Sequence, residues 1–255
     1  MKQRARDVSA PRFSKGQVNR AGVFLLELRR RVDVEGAERA LRATDEASIE
    51  AAREALEWWR SLHARPLSMV AANLRYHVLK AEAQVDGRIE VTQRLKRQDT
   101  LVGKLDRERG NVTQMQDIGG VRAVVPGIPD VYRLRRRLLK SWTIIRERDY
   151  IASPKDDGYR ALHLIVRRAG FPIEVQVRTR GQDLWANAIE EAGRQTGVQF
   201  KFGEGPEMER VMLASAAALI AGSEEGKLST AEVLTAGLLG AAIMKLLKRQ
   251  EREAK

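Results

Sequence analysis

The 255-residue chain contains no cysteine and only three histidines. The missing thiols exclude disulfides, thiolate zinc sites, iron–sulfur clusters and a cysteine nucleophile, and they fit a reducing, cytoplasmic setting. With so few histidines and no His-Asp dipeptide, a histidine-rich metallohydrolase is excluded as well. Long apolar runs are also missing. The two greasiest stretches, Val211 to Gly222 and Val233 to Met244, are 12 residues each, against the roughly 20 that span a bilayer. The start, Met1 to Arg12, alternates charge with small residues and carries no apolar core of a signal peptide. We therefore expect a protein with no membrane partner. No phosphate-cradling loop of the Walker type occurs, because Gly103-Lys104 lacks both the upstream glycine and the following Ser or Thr. Gly203-Glu204-Gly205 runs into Pro206, so it reads as a turn and not as a dinucleotide fingerprint.

What is present is positive charge. Lys and Arg number 46 against 34 Asp and Glu, a formal charge of +12, alongside 43% hydrophobic residues. That apolar fraction is too high for a disordered chain and the length allows a real core. The charge is uneven. Residues 1–30 hold eight basic and two acidic side chains, whereas residues 201–255 hold eight of each. A basic excess of this kind favours a polyanionic partner such as nucleic acid or a multiply phosphorylated nucleotide.

Apolar periodicity divides the chain. Val23 to Val34, Ala47 to Leu62 and Ser68 to Ala83 carry apolar residues at helical spacing, with Met69, Leu74, Val78 and Leu79 on one side of the third. The period then changes. Strands are expected at Ile89–Leu95, Gly119–Val125, Trp142–Tyr150, Ala161–Val166 and Ile173–Arg178. Helices are expected at Thr100–Leu105, Asp130–Leu139 and Gln182–Ala192. Two Ala-rich helices, Glu207–Ser223 and Thr230–Lys248, follow, the last with an apolar stripe of Leu234, Leu238, Leu239, Ile243 and Leu246. Helices on a small mixed sheet make an α/β (α+β) fold.

Two carboxylates stand out against this frame. Asp117 immediately precedes a Val-rich strand, and Glu174 shares one strand face with Gln176 and Arg178, while Val175 and Val177 point into a core. An Asp and a Glu brought together suit Mg2+, which favours carboxylates plus phosphate oxygens, and one of them can take a proton from an attacking hydroxyl. Cations cluster nearby in the chain: Arg94, Lys96 and Lys104 in one group, Arg146, Arg148 and Lys155 in another, around a polar loop bearing Tyr159. Phosphoryl and pyrophosphoryl transfer needs this kind of positive surround, and the loop tyrosine suits stacking on a base.

The segments also resemble, in order, the synthetase domain of the RelA/SpoT family. They are Arg94/Lys96/Lys104, then Asp117-Ile118-Gly119-Gly120-Val121-Arg122, then the loop from Asp149-Tyr150-Ile151 through Pro154-Lys155 and Gly158-Tyr159 to Leu162-His163, and last Glu174-Val175-Gln176-Val177-Arg178-Thr179. The resemblance covers roughly residues 55–195. It implies a nucleotidyltransferase-like mixed sheet of about five strands, with a synthetase domain over 55–200, a basic helical extension over 1–54 and a C-terminal helical extension over 201–255. It further implies an Mg2+-dependent pyrophosphokinase that moves the β,γ-pyrophosphate of ATP to a ribose 3′-hydroxyl. Carried over by position, Arg94, Lys96, Lys104 and Arg122 hold ATP; Asp117 and Glu174 ligate Mg2+, with Glu174 also activating the acceptor. Tyr159 stacks on the acceptor base, and Arg148, Lys155, His163, Gln176 and Arg178 orient the acceptor.

The sequence leans toward a particular acceptor within that family. The segments Phe13 to Gly22 and Trp59 to Leu67 resemble the toxic branch, whose members modify the 3′-terminal adenosine of tRNA and pair with an antitoxin protein. Lys15 and the helix carrying Arg133, Arg136 and Arg137 have the charge to track an acceptor stem through phosphate contacts. The alternative acceptor is GDP or GTP, giving (p)ppGpp, and a catalytically idle nucleotide- or RNA-binding module is a third reading.

Overall fold

The structure is a computed structural model, which describes residues 11–82, 89–196, 207–226 and 229. The expected last helix, Thr230–Lys248, and the turn at Gly203 to Pro206 lie outside the described residues. Four helices come first: α1 (Lys15–Glu35), α2 (Ala37–Arg42), α3 (Glu46–Ser61) and α4 (Ala64–Glu82). Then follow β1 (Glu90–Leu95), α5 (Gln98–Glu108), β2 (Gly119–Val125), α6 (Ile128–Ser141), β3 (Ile144–Asp149), β4 (Leu162–Arg168), β5 (Phe171–Thr179), α7 (Arg180–Thr196) and α8 (Glu207–Glu224). The strands form one five-stranded sheet in the order β1-β2-β5-β4-β3, flanked by helices as expected of an α/β (α+β) chain. Among the described residues, no helix is long and apolar enough to cross a membrane.

The chain divides into two compact units whose segments interleave along the sequence. The first comprises residues 1–71, 93–121 and 167–174; the second comprises 72–92, 122–166 and 175–255. Both β2 and β5 therefore pass from one unit into the other.

In the first unit, α1 starts where Ser14 and Gln17 cap each other. Ser14 Oγ accepts from Gln17 N at 3.2 Å, and Gln17 Oε1 accepts from Ser14 N at 2.8 Å, satisfying two amides that the helix leaves open. Asp45 caps α3 in the same way through Ser48 N, 2.9 Å away. The apolar faces so aligned bury Val18, Leu56, Leu101, Val112 and Ile118 together, with Trp59 beside them.

In the second unit, β3 and β4 pair antiparallel, with Arg148 opposite His163 and Asp149 opposite Leu162, after a bulge between Ile144 and Arg146. Opposite residues on paired strands share a face, so this register sets Arg148 beside His163. Pro129 sits in the first turn of α6, where a missing amide costs nothing. Below it Val131, Leu134 and Leu138 are buried. Two expectations about helix faces are corrected. Leu79, expected on one side of the helix with Leu74 and Val78, is 66% exposed, because α4 places it one position off their buried row. The basic residues of α6 do not all face outward: only Arg136 and Lys140 are exposed.

Candidate active site

The first unit gathers charge around Asp117. The end of β1 runs beside the start of β2, with Lys96 N donating to Ile118 O at 2.8 Å, so the Lys96 side chain arrives next to Asp117. Helix α5 brings Lys104 to the same point. Both ammonium groups donate to one oxygen, Asp117 Oδ2, at 2.7 and 2.8 Å, and Lys104 also lies 3.3 Å from Glu108. The Asp117 side chain is only 17% exposed. Its other oxygen, Oδ1, is buried with no hydrogen-bond partner. Burial pushes the carboxyl up most strongly of any single influence, yet the two lysines together more than offset it and hold Asp117 below the ordinary value. For Lys104, burial pulls the ammonium down, while Asp117 and then Glu108 push it above its usual range. Asp117 is therefore a carboxylate at neutral pH, with lone pairs still unsatisfied on Oδ1.

Arg94 is exposed on β1, two residues before Lys96, and Glu174 is half-buried on β5. A Cβ added at Gly119 would come within 2.8 Å of Ile173 Cδ1. The start of β2, just past Asp117, thus lies against the residue preceding Glu174. Among the described residues no three or more acidic or histidine side chains form a ready metal cage. An orphaned carboxylate oxygen, with a second carboxylate on the neighbouring strand, fits Mg2+, which completes its shell with water and phosphate oxygens.

The second unit holds a connected polar network. Arg178, 5% exposed on a strand, donates through one nitrogen to Tyr159 OH and Gln176 Oε1, each at 2.7 Å. Through its other terminal nitrogen it reaches Asp183 Oδ1 at 3.4 Å. Tyr159 OH also lies 2.6 Å from His163 Nε2. Arg122 donates to the same Asp183 Oδ1 at 2.9 Å. The Tyr159 loop is shaped locally: Asp157 Oδ1 accepts from Tyr159 N at 2.9 Å, and Gly158 takes a φ of +80° that other residues resist. Lys155 Nζ lies 4.8 Å from the Tyr150 ring centre and 5.0 Å from that of Tyr159, so the two rings flank a cation. Arg148 is exposed beside His163.

Of the residues expected to meet an acceptor, Tyr159, His163, Gln176 and Arg178 are directly linked, Lys155 stacks on the tyrosine, and Arg148 adjoins His163. Arg122, expected to hold ATP, joins this network through Asp183, which sequence reasoning missed along with Asn187 and Tyr150. An acid in the first turn of a helix is common because it complements the helix dipole, so Asp183 carries no distinguishing signal in the sequence. The expected tRNA-binding residues are dispersed. Lys15 is exposed at the start of α1 in the first unit. In the second unit, Arg133 is ion-paired with Asp130 and Arg137 is half-buried; Arg135 is ion-paired with Glu147 at 2.7 Å. Of the three arginines expected to track RNA, only Arg136 is exposed, because the others are drawn to acidic or buried surroundings within the unit.

Residues 93–195 match the family model described as a region found in RelA and SpoT proteins. These residues are similar to a RelA/SpoT region. Every expected catalytic, ATP-binding and acceptor-binding residue lies within it, and so does Asp183. The chain is 29% identical over 151 residues to the GTP pyrophosphokinase YwaC of Bacillus subtilis, covering 51% of this chain and 72% of that protein. Matches to further curated relatives span 13% to 40% of their lengths. Among solved structures, a GTP pyrophosphokinase family protein from Streptococcus pneumoniae aligns with a TM-score of 0.56 at 25% identity, covering 72% of this chain and 98% of that one. The small alarmone synthetase 1 of Bacillus subtilis, solved with its product pppGpp, aligns with a TM-score of 0.57 at 24% identity, over 67% and 94%. The RelA/SpoT region thus comes with the fold of the small synthetases.

Proposed function

We propose that this chain is an ATP-dependent pyrophosphokinase that transfers the β,γ-pyrophosphate of ATP to the ribose 3′-hydroxyl of GDP or GTP, making ppGpp or pppGpp. The observation that carries the reading is Asp117: a buried carboxylate kept ionised by Lys96 and Lys104, with one oxygen unpartnered, inside the RelA/SpoT region. A relative matched over 72% of its own length is a GTP pyrophosphokinase, and this favours a guanosine nucleotide over the tRNA that the sequence suggested. Arg133 and Arg135 are ion-paired within their own unit and Arg137 is half-buried, which further weakens α6 as an RNA-tracking helix.

In this reading Asp117 and Glu174 would hold Mg2+, which when bound would neutralise charge on the triphosphate. Lys96 and Lys104 exchange part of their hold on Asp117 for phosphate oxygens, and Arg94 and Arg122 complete the ATP site. Tyr159 presents its ring to the guanine, while Arg148, Lys155, His163 and Gln176 orient the acceptor. The acceptor 3′-oxygen attacks the β-phosphorus and passes its proton to Glu174. The bond from that phosphorus to the α,β-bridging oxygen breaks, and AMP departs.

Incubation with ATP labelled in the γ-phosphate, together with GDP, GTP or bulk tRNA, tests the proposal. Label in a guanosine tetra- or pentaphosphate is the expected result. Label on tRNA would replace this acceptor with the one the sequence favoured, and transfer to neither would overturn the enzymatic reading.

A further inference from the structure

We infer that Asp183 is a positioning residue that couples the donor-binding and acceptor-binding arginines of this reaction. The inference rests on the pyrophosphokinase reading for the roles of Arg122 and Arg178, but the geometry is independent of it. One carboxylate oxygen, Asp183 Oδ1, accepts from Arg122 at 2.9 Å and from Arg178 at 3.4 Å. The other, Oδ2, accepts from Asn187 Nδ2 at 3.0 Å, and Asn187 Oδ1 lies 3.4 Å from Arg122. Side-chain exposures are 20% for Arg122, 18% for Asp183 and 6% for Arg178. Two guanidinium groups this poorly hydrated repel each other unless a shared anion sits between them, and Asp183 is that anion.

The consequence runs in both directions. Arg178 continues to Tyr159 OH at 2.7 Å, and Tyr159 to His163 at 2.6 Å. A change in Arg122 on meeting the phosphates or base of ATP alters its share of Asp183 Oδ1, and thereby the hold on Arg178 and the tyrosine. Donor binding then presets the acceptor ring, and linkage requires the acceptor to strengthen donor binding by the same factor. Asp183 touches neither reacting atom in this account; it acts through the two arginines.

The test is titration calorimetry with a non-hydrolysable α,β-methylene ATP and with GDP, each alone and each in the presence of the other. It uses the full chain and its Asp183→Asn and Asp183→Glu variants. In the wild type, each nucleotide is expected to tighten the other by roughly fivefold or more, the lower end of measured couplings. Asp183→Asn keeps the shape and an acceptor oxygen but removes the shared charge. It should bring the mutual enhancement to about one while each nucleotide still binds alone within roughly tenfold of wild type. Asp183→Glu should restore part of the enhancement. A merely structural role would lower the folded fraction without changing the coupling ratio, so unchanged coupling in Asp183→Asn overturns the inference. Tighter ATP binding by Asp183→Asn would also overturn it, since Asp183 would then compete with phosphate for Arg122. If wild type binds neither nucleotide, the proposed function fails instead, a result separate from either outcome in the variants.

Discussion

Replacing Asp117 by Asn removes one negative charge from beneath two ammonium groups and changes almost nothing in shape. Lys96 and Lys104 each donate to Oδ2 at 2.7–2.8 Å, and their side chains are 18% and 17% exposed. A charge-assisted hydrogen bond in such a setting is worth about 1.5–3 kcal/mol net. Losing the charge also leaves two cations facing each other in poor contact with water, the costly half of breaking a partly buried ion pair. Glu108 and residual solvent recover some of this for Lys104. We therefore expect a loss of about 3 kcal/mol, roughly a 150-fold drop in the folding equilibrium constant and about 6–12 °C in Tm. The assay is urea unfolding from pH 2.5 to 9. The sign follows from linkage. Asp117 is depressed below the ordinary 3.8 of an aspartate in the folded chain, so its contribution is full above about pH 4 and is lost as the pH falls through the depressed value. Lys104 is raised above 10.5, so its contribution is full below about pH 10 and is lost only as the pH rises past its folded value. The gap between wild type and Asp117→Asn should therefore be level from about pH 5 to 9 and narrow as the pH falls below the ordinary carboxylate range. A gap under roughly 0.5 kcal/mol at pH 7, the usual size of an indifferent surface change, would refute the reasoning. So would a gap that persists undiminished in acid.

Three further outcomes are expected. Glu174→Gln should abolish pyrophosphate transfer while leaving ATP binding nearly intact by calorimetry; transfer near the full rate would mean that another group takes the proton. Gly158→Ala forces a φ of +80° on a residue with a Cβ, and that Cβ would come within 2.5 Å of Ala217 Cβ. It should cost about 2–3 kcal/mol by thermal unfolding and raise the acceptor KM; unchanged values would mean the loop is not fixed by that contact. Neutral replacements of Lys15 and Arg136 should leave transfer to GDP and its salt dependence unaltered, and a steeper salt sensitivity in the wild type than in the variants, measured with tRNA, would return the tRNA acceptor to consideration.

The sequence by itself determined the elements in outline and carried the RelA/SpoT motifs. Valine enrichment marked Gly119–Val125 as a strand, and alternation marked Ile173–Arg178 because a pleat with one apolar face leaves a period of two. Helical spacing likewise marked α1, α3 and α4, although α1, α4 and α5 begin earlier than their apolar rows, α1 at Lys15 and not Val23, in part because capping and first-turn residues carry no core signal. The short α2 escaped notice because six residues make too little of an apolar face to register as periodic. The residue types in the RelA/SpoT motifs were legible because pyrophosphate transfer needs carboxylates and cations in quantity.

Tertiary structure alone decided who pairs with whom. That Lys96 and Lys104 converge on one oxygen of Asp117, and leave the other bare, depends on β1 ending beside β2 and on how α5 packs. That Arg135 is held by Glu147 on the following strand, while Arg136 stays exposed, could not be read from the run Arg135-Arg136-Arg137. Asp183 is the sharpest case: an ordinary first-turn acid in the chain, it becomes the shared anion of two arginines only once β2, β5 and α7 are assembled. Periodicity records each residue's relation to water, which is local. Charge pairing records distances between segments far apart in the chain, which only folding sets.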